Sequence, residues 1–124
     1  MSRGRVLIAE DEATLAWVEQ FNLESEGYEV LIAPEGRAAI EALDTFAPDV
    51  LILDVMLPYL DGWSILANLK DLPDYRRPKV ILVSAAAGVI DRAQSEGVAV
   101  ESVLSKPFDM DQLLGRVAEL MQPV

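Results

Sequence analysis

Val50-Leu51-Ile52-Leu53-Asp54 decides the reading of this chain: four consecutive apolar side chains closed by a carboxylate. An unbroken apolar run of this length fits a strand covered on both faces, as in a parallel sheet, rather than the alternating strand of a sheet with one wet side. A second run, Val6-Leu7-Ile8-Ala9, ends in the acids Glu10-Asp11-Glu12. If both strands are central and parallel, their C-terminal ends lie side by side, where the ligand sites of open α/β sheets form. Three carboxylates within roughly 5 Å repel one another by about 3 kcal/mol per pair at an effective dielectric near 20, so a cation or a raised pKa has to relieve them.

Working outward, continuous apolar runs recur at 30–33 and 80–83, with a weaker one at Val103-Leu104. Segments with helical spacing separate them: Leu15, Val18 and Phe21; Ala39, Ile40 and Leu43; Ile65, Leu66 and Leu69; Val89, Ile90 and Ala93; Leu113, Leu114, Val117, Leu120 and Met121. Strands are expected near 5–10, 28–33, 49–54, 79–84 and 102–105, and helices near 12–26, 35–46, 62–72, 88–96 and 109–121. Five strand–helix alternations joined by right-handed crossovers give an α/β, doubly wound, five-stranded parallel sheet, in either a flavodoxin-like or a Rossmann-like order. Gly27, Pro48, Pro58, Asp61-Gly62 and Pro78 mark the boundaries. The start of the fourth helix, after Ala85-Ala86-Ala87-Gly88, is loosely specified. Trp17, Trp63 and the methionines read as packing residues.

The 124 residues, 52% hydrophobic and 25% charged, fit a single domain over 1–124 with a full core. With 21 acidic against 10 basic residues the net charge is -11, which opposes direct contact with nucleic acid or an anionic membrane. There is no cysteine, hence no thiol nucleophile or thiolate site, and no histidine, hence no imidazole base, imidazole ligand or phosphohistidine carrier. No apolar stretch approaches the ~20 residues that span a bilayer, and Met1-Ser2-Arg3-Gly4-Arg5 leads straight into a strand, so a cytoplasmic location is expected.

Four features fall at strand ends: the Glu10-Asp11-Glu12 cluster, Asp54, Ser84 and Lys106. Taken singly, the acids are ordinary turn or helix-start charges, Ser84 an N-cap and Lys106 a surface charge. Together, acid, acid, hydroxyl and lysine follow one another on strands one, three, four and five. A hard divalent ion with oxygen ligands, magnesium by expectation, suits Asp11 and Asp54, with Glu10 acting through water and a backbone carbonyl completing the shell. One carboxylate can then attack a phosphoryl group whose oxygens Lys106 and Ser84 contact.

These segments are similar to the receiver domains of two-component response regulators, and the resemblance runs from Arg5 to Met121. Its motifs are 6–12 with the acidic pair, 51–58 followed by Asp61-Gly62, Leu82-Val83-Ser84-Ala85, and Ser105-Lys106-Pro107-Phe108. The resemblance implies strand order 2-1-3-4-5 and a cis Lys106–Pro107 peptide. It implies Asp54 as phosphoacceptor, Asp11 as a direct Mg2+ ligand, Met56 as the backbone carbonyl ligand, Glu10 as an outer ligand through water, Ser84 as the switch hydroxyl and Lys106 as the phosphate contact. Two positions depart from the family. Val103 stands where a switch aromatic is usual, and Ala99 replaces a usual glycine, so a shortened fourth helix or an altered loop is expected.

The function implied is a phosphoacceptor receiver domain. It takes a phosphoryl group from a partner histidine kinase or phosphotransfer protein, loses it slowly because neither Met56 nor Ala86 can orient water, and is otherwise no enzyme. Its signal passes to an unknown downstream protein without direct nucleic acid or membrane contact. Because the sequence stops soon after the fifth helix, no output domain is expected unless the chain is a fragment. A monomer or weak dimer is expected: Arg116 fits the charged dimer face of one subfamily, and Ala87 offers it no matching charge. Two alternatives stand beside this reading. One is a never-phosphorylated receiver-like scaffold, favoured by Val103. The other is a haloacid-dehalogenase-type phosphatase, disfavoured because Met56 occupies the place of that enzyme's second acid.

Overall fold

A computed structural model of the chain describes residues 2–57, 62–85, 88–95, 97 and 100–122. Pro58, Asp61, Ala86, Ala87 and Ala99, singled out above, lie outside the described residues. The strands are β1 (Arg5–Ala9), β2 (Glu29–Ala33), β3 (Val50–Asp54), β4 (Lys79–Ser84) and β5 (Ser102–Ser105). The helices are α1 (Ala13–Ser25), α2 (Gly36–Thr45), α3 (Gly62–Leu69), α4 (Val89–Ser95) and α5 (Met110–Met121), with a 3₁₀ turn at Asp74–Arg76 before β4.

All neighbouring strands pair in parallel in the order β2-β1-β3-β4-β5, the flavodoxin-like choice of the two open at the sequence level. In β1, β3 and β4 the unbroken apolar runs have the cause anticipated for them, because alternate side chains enter two separate cores, whereas in the edge strand β2 Leu31 is exposed. Leu7, Leu51, Leu53, Val80 and Leu82 join Ala39, Leu43, Ile65, Leu66, Val89 and Ala93 on the side of α2, α3 and α4. Val6, Ile8, Val50, Ile52, Ile81 and Val83 join Ala16, Leu23, Leu113 and Val117 on the side of α1 and α5. Each fully buried leucine or isoleucine contributes roughly 1.5–3 kcal/mol relative to exposure, so β1, β3 and β4 form a rigid base under whatever their C-terminal ends carry.

The apolar reading of α1 is corrected by the structure. Its inward face is Ala16, Glu19 and Leu23, while Leu15 and Val18 are half-buried and Phe21 is 59% exposed. With Ala16, Glu19 and Leu23 inward, the helical period carries Phe21 to the outer face. There it stacks on Trp17, one helical turn earlier and itself 61% exposed, with ring centroids 5.7 Å apart and planes at 25°. Trp17 and Met56 (72% exposed) are therefore surface residues, not packing residues. Trp63 does pack against the α2–α4 core, and the Arg92 guanidinium of α4 lies over its ring at 4.3 Å from the centroid.

Gly62 packs directly against the tail of β3. Its N–H donates to the Val55 carbonyl at 3.1 Å, and a Cβ there would stand 2.6 Å from Val55 Cα and 3.0 Å from the Asp54 carbonyl oxygen. Both obstacles are backbone, so room comes only by moving the tail of β3. Gly62→Ala is expected to destabilise the fold by about 2 kcal/mol, read as a lower urea midpoint. An unchanged midpoint would mean that the tail yields freely.

Candidate functional site

In the order β2-β1-β3-β4 the crossover that leaves β1 runs to β2 and the one that leaves β3 runs the other way to β4, so a crevice opens above the C-terminal ends of β1 and β3. Asp54 closes β3 and Glu10 follows β1, and both are buried. Asp11 is exposed beside them. One oxygen from each of Glu10, Asp11 and Asp54 lies within 4.8 Å of the other two. The acidic residues of two separate strands thus meet in one place.

Lys106 comes from the far side of the sheet. Its backbone N–H donates to the Ser84 carbonyl at 2.9 Å, which ties the tail of β5 to the end of β4, and the Lys106–Pro107 peptide is cis. Its Nζ donates to Asp54 Oδ2 at 2.7 Å and to Glu10 Oε1 at 3.1 Å. The second oxygen of each acid is also held: Asp54 Oδ1 accepts from the Met56 N–H at 2.8 Å, and Glu10 Oε2 from the Glu12 N–H at 3.1 Å. Ser84 is buried at the end of β4. Val103, two residues into β5, is half-buried against the α2–α4 core.

The charges of this cluster are unequal. Burial pushes the Glu10 carboxyl up, and the charge of Asp54 adds to that; the bonds from the Glu12 N–H and Lys106 oppose it without cancelling it. Burial alone would lower the Lys106 ammonium, but its bonds to Asp54 and Glu10 outweigh that and hold it above the usual lysine value. Three carboxylates against one ammonium leave a formal excess of two negative charges. An all-oxygen donor set with that excess fits a hard divalent cation, and the chain has neither thiolate nor imidazole to offer a softer metal.

Comparison with known proteins agrees with this geometry. The response regulator receiver domain family model matches residues 6–118. The chain belongs to the response regulator receiver domains. This receiver is 33% identical over 118 residues to the transcriptional regulatory protein TrcR of Mycobacterium tuberculosis, covering 95% of the chain and 45% of that protein. It is 36% identical to the transcriptional regulatory protein PcoR of Escherichia coli, covering 95% and 51%. The receiver thus spans about half the length of the curated relatives it matches. Among solved structures it resembles the receiver domain of the Francisella response regulator 1452, with a TM-score of 0.83, 30% identity and coverage of 95% and 96%. It also resembles the receiver domain of the sensor histidine kinase PA1611 from Pseudomonas aeruginosa, which has a magnesium ion coordinated in its active site cleft (TM-score 0.82, 26% identity, coverage 95% and 97%). Among the described residues of this receiver, no helix is long and apolar enough to cross a membrane.

Glu19 is the residue near the site that the sequence reading passed over. It is 1% exposed on the inward face of α1, and burial pushes its carboxyl up to about 8, with the charges of Glu10 and Asp54 adding and that of Lys106 opposing. The apolar spacing Leu15, Val18 and Phe21 drew the helix face elsewhere, while the buried positions are Ala16, Glu19 and Leu23.

Proposed function

We propose that Asp54 is the phosphoacceptor of this receiver, that Lys106 and Ser84 contact the incoming phosphoryl oxygens, and that Mg2+ is held by Asp11, Asp54 and the Met56 carbonyl, with Glu10 acting through water. The observation that carries the proposal is the clamp on Asp54: Oδ2 bound by Lys106 at 2.7 Å and Oδ1 by the Met56 N–H at 2.8 Å. A buried carboxylate held at both oxygens is preoriented, and phosphoryl transfer depends mainly on positioning and on stabilising the equatorial oxygens. In the transfer an Asp54 oxygen forms a bond to phosphorus as the bond from phosphorus to the donor's imidazole nitrogen breaks, and the imidazole, protonated on its other ring nitrogen, leaves neutral. Lys106 is already within bonding distance of Asp54 and needs little movement to reach the new oxygens. Mg2+, when bound, supplies the charge neutralisation that lets an anionic acceptor meet an anionic donor.

The acyl phosphate returns to the carboxylate by hydrolysis. Slow loss follows from Met56, whose exposed thioether has no group to orient or deprotonate water. The domain acts in the cytoplasm as an acceptor, with self-phosphorylation and slow self-dephosphorylation its only chemistry, and passes its signal on as a monomer or weak dimer.

The test is intact mass after incubation with acetyl phosphate. With Mg2+ the expected product gains one phosphoryl unit, and with excess EDTA it gains none. An unmodified protein in both would favour the constitutive scaffold, and sustained turnover of phosphate monoesters would favour the phosphatase. The stacked pair Trp17 and Phe21 offers the phosphodonor protein an aromatic anchor on α1, the helix that follows the acidic cluster. Changing both to alanine is expected to slow transfer from any histidine kinase that phosphorylates the wild type by about tenfold or more, while leaving the acetyl phosphate rate unchanged. Equal slowing with both donors would place the defect in the fold and not in docking.

A further inference from the structure

We infer that Glu19 is a charge-compensating residue of the acidic site: it carries a proton while the cluster above β1 and β3 is anionic and releases that proton when a divalent cation fills the cluster. The inference rests on the metal reading proposed above and adds to it a residue that holds no ion itself.

Its first ground is geometric. Glu19 is 1% exposed, and its Oε2 is buried with no hydrogen-bond partner. Buried polar groups are nearly always satisfied, so an orphaned carboxyl oxygen inside a core requires a reason. The cluster on that side of the sheet is apolar: α5 turns Leu113 and Val117 inward, and β1 and β3 contribute Val6, Ile8, Val50 and Ile52. From the β2 side comes Tyr28, whose buried hydroxyl also lacks a partner.

The second ground is electrostatic position. The groups whose charges reach Glu19 are Glu10 after β1, Asp54 at the end of β3 and Lys106 after β5, all members of the described cluster. Two of the three are negative, so ionising Glu19 adds a like charge to a cluster already in negative excess. A divalent cation reverses that sign. A divalent ion in that cluster acts on the buried carboxyl through the same space as the charges of Glu10 and Asp54, with the opposite sign. Linkage then makes the effect reciprocal: if the cation favours ionised Glu19, ionised Glu19 favours the cation by the same factor. Glu19 follows Asp11 by eight residues, and removing its charge therefore leaves the proposed ligand set whole.

The experiment is calorimetric titration of Mg2+ into the receiver at pH 7.5, in two buffers of different ionisation enthalpy, so that the heats give the number of protons released per ion bound. Wild type is expected to release most of one proton, and both Glu19→Gln and Glu19→Leu markedly less. Across pH 6.5 to 8.5 the Mg2+ affinity of wild type should rise about tenfold more than that of Glu19→Gln. Binding with the same proton release in wild type and both variants would overturn the role of Glu19 and leave the metal reading standing. Absence of any Mg2+ binding heat in wild type at every pH would overturn both. The paired variants guard against misfolding, since Gln preserves shape and Leu suits the apolar layer.

Discussion

Asp54→Asn is expected to abolish the phosphoryl adduct, with acetyl phosphate and with a kinase alike, while the folded protein survives. The amide keeps the size of the carboxylate and an oxygen able to accept from the Met56 N–H, now at 2.8 Å from Oδ1. It has no anionic oxygen to attack phosphorus, and a neutral amide oxygen is a far weaker nucleophile, so the rate should fall by at least about a thousandfold. Lys106 retains Glu10 as an ion partner at 3.1 Å, and Glu10 and Asp11 lose a repulsive neighbour. These effects oppose each other, so the urea midpoint should correspond to a change within about 1 kcal/mol. A stoichiometric adduct in the Asn variant would move the acceptor elsewhere and end the assignment.

Glu19→Leu is expected to stabilise the receiver at pH 8 by on the order of 3 kcal/mol, because it replaces an orphaned buried acid by an apolar residue in an apolar layer. The pH dependence gives the sign. The carboxyl titrates at 4.5 when unperturbed and at about 8 in the fold. Between those values the folded chain holds a proton that the unfolded chain has released, so stability falls as pH rises through the window. Below 4.5 this contribution is fully retained, and above 8 its loss is complete. Wild type and Glu19→Leu should therefore converge near pH 5 and diverge toward pH 8 in urea denaturation. A Leu variant that is less stable at pH 8, or a gap that stays constant with pH, would contradict the burial argument.

The uneven legibility of this chain has physical causes. β1, β3 and β4 could be read because a strand covered on both faces has no polar positions to blur it, and the carboxylates of Glu10 and Asp54 stand out at the ends of such runs. The choice of strand order was not local information. It came from the resemblance, since hydrophobic runs of similar length pair equally well in several orders. In α1 periodicity misled, because Trp17 and Phe21 satisfy each other on the outside while small Ala16 and acidic Glu19 occupy the inside. A buried carboxylic acid is invisible to a hydrophobic pattern. Lys106 was legible as a residue type at a strand end, but its two bonds to Asp54 and Glu10 depend on the path of β5 and on the turn after it. Val103 shows a different limit: its side chain packs as a short aliphatic group, and no local pattern reveals how a face without the usual ring responds to its site.

The Arg92 guanidinium over the Trp63 ring gives the molecule an optical gauge of its own. The indole belongs to α3 and the cation to α4, so any displacement between those helices alters the field at the ring and hence its emission. Trp17, the second of the chain's two tryptophans, lies in water on the outer face of α1 and can be silenced by Trp17→Phe. What remains is a single emission that reports on the contact between α3 and α4, readable without attaching a dye.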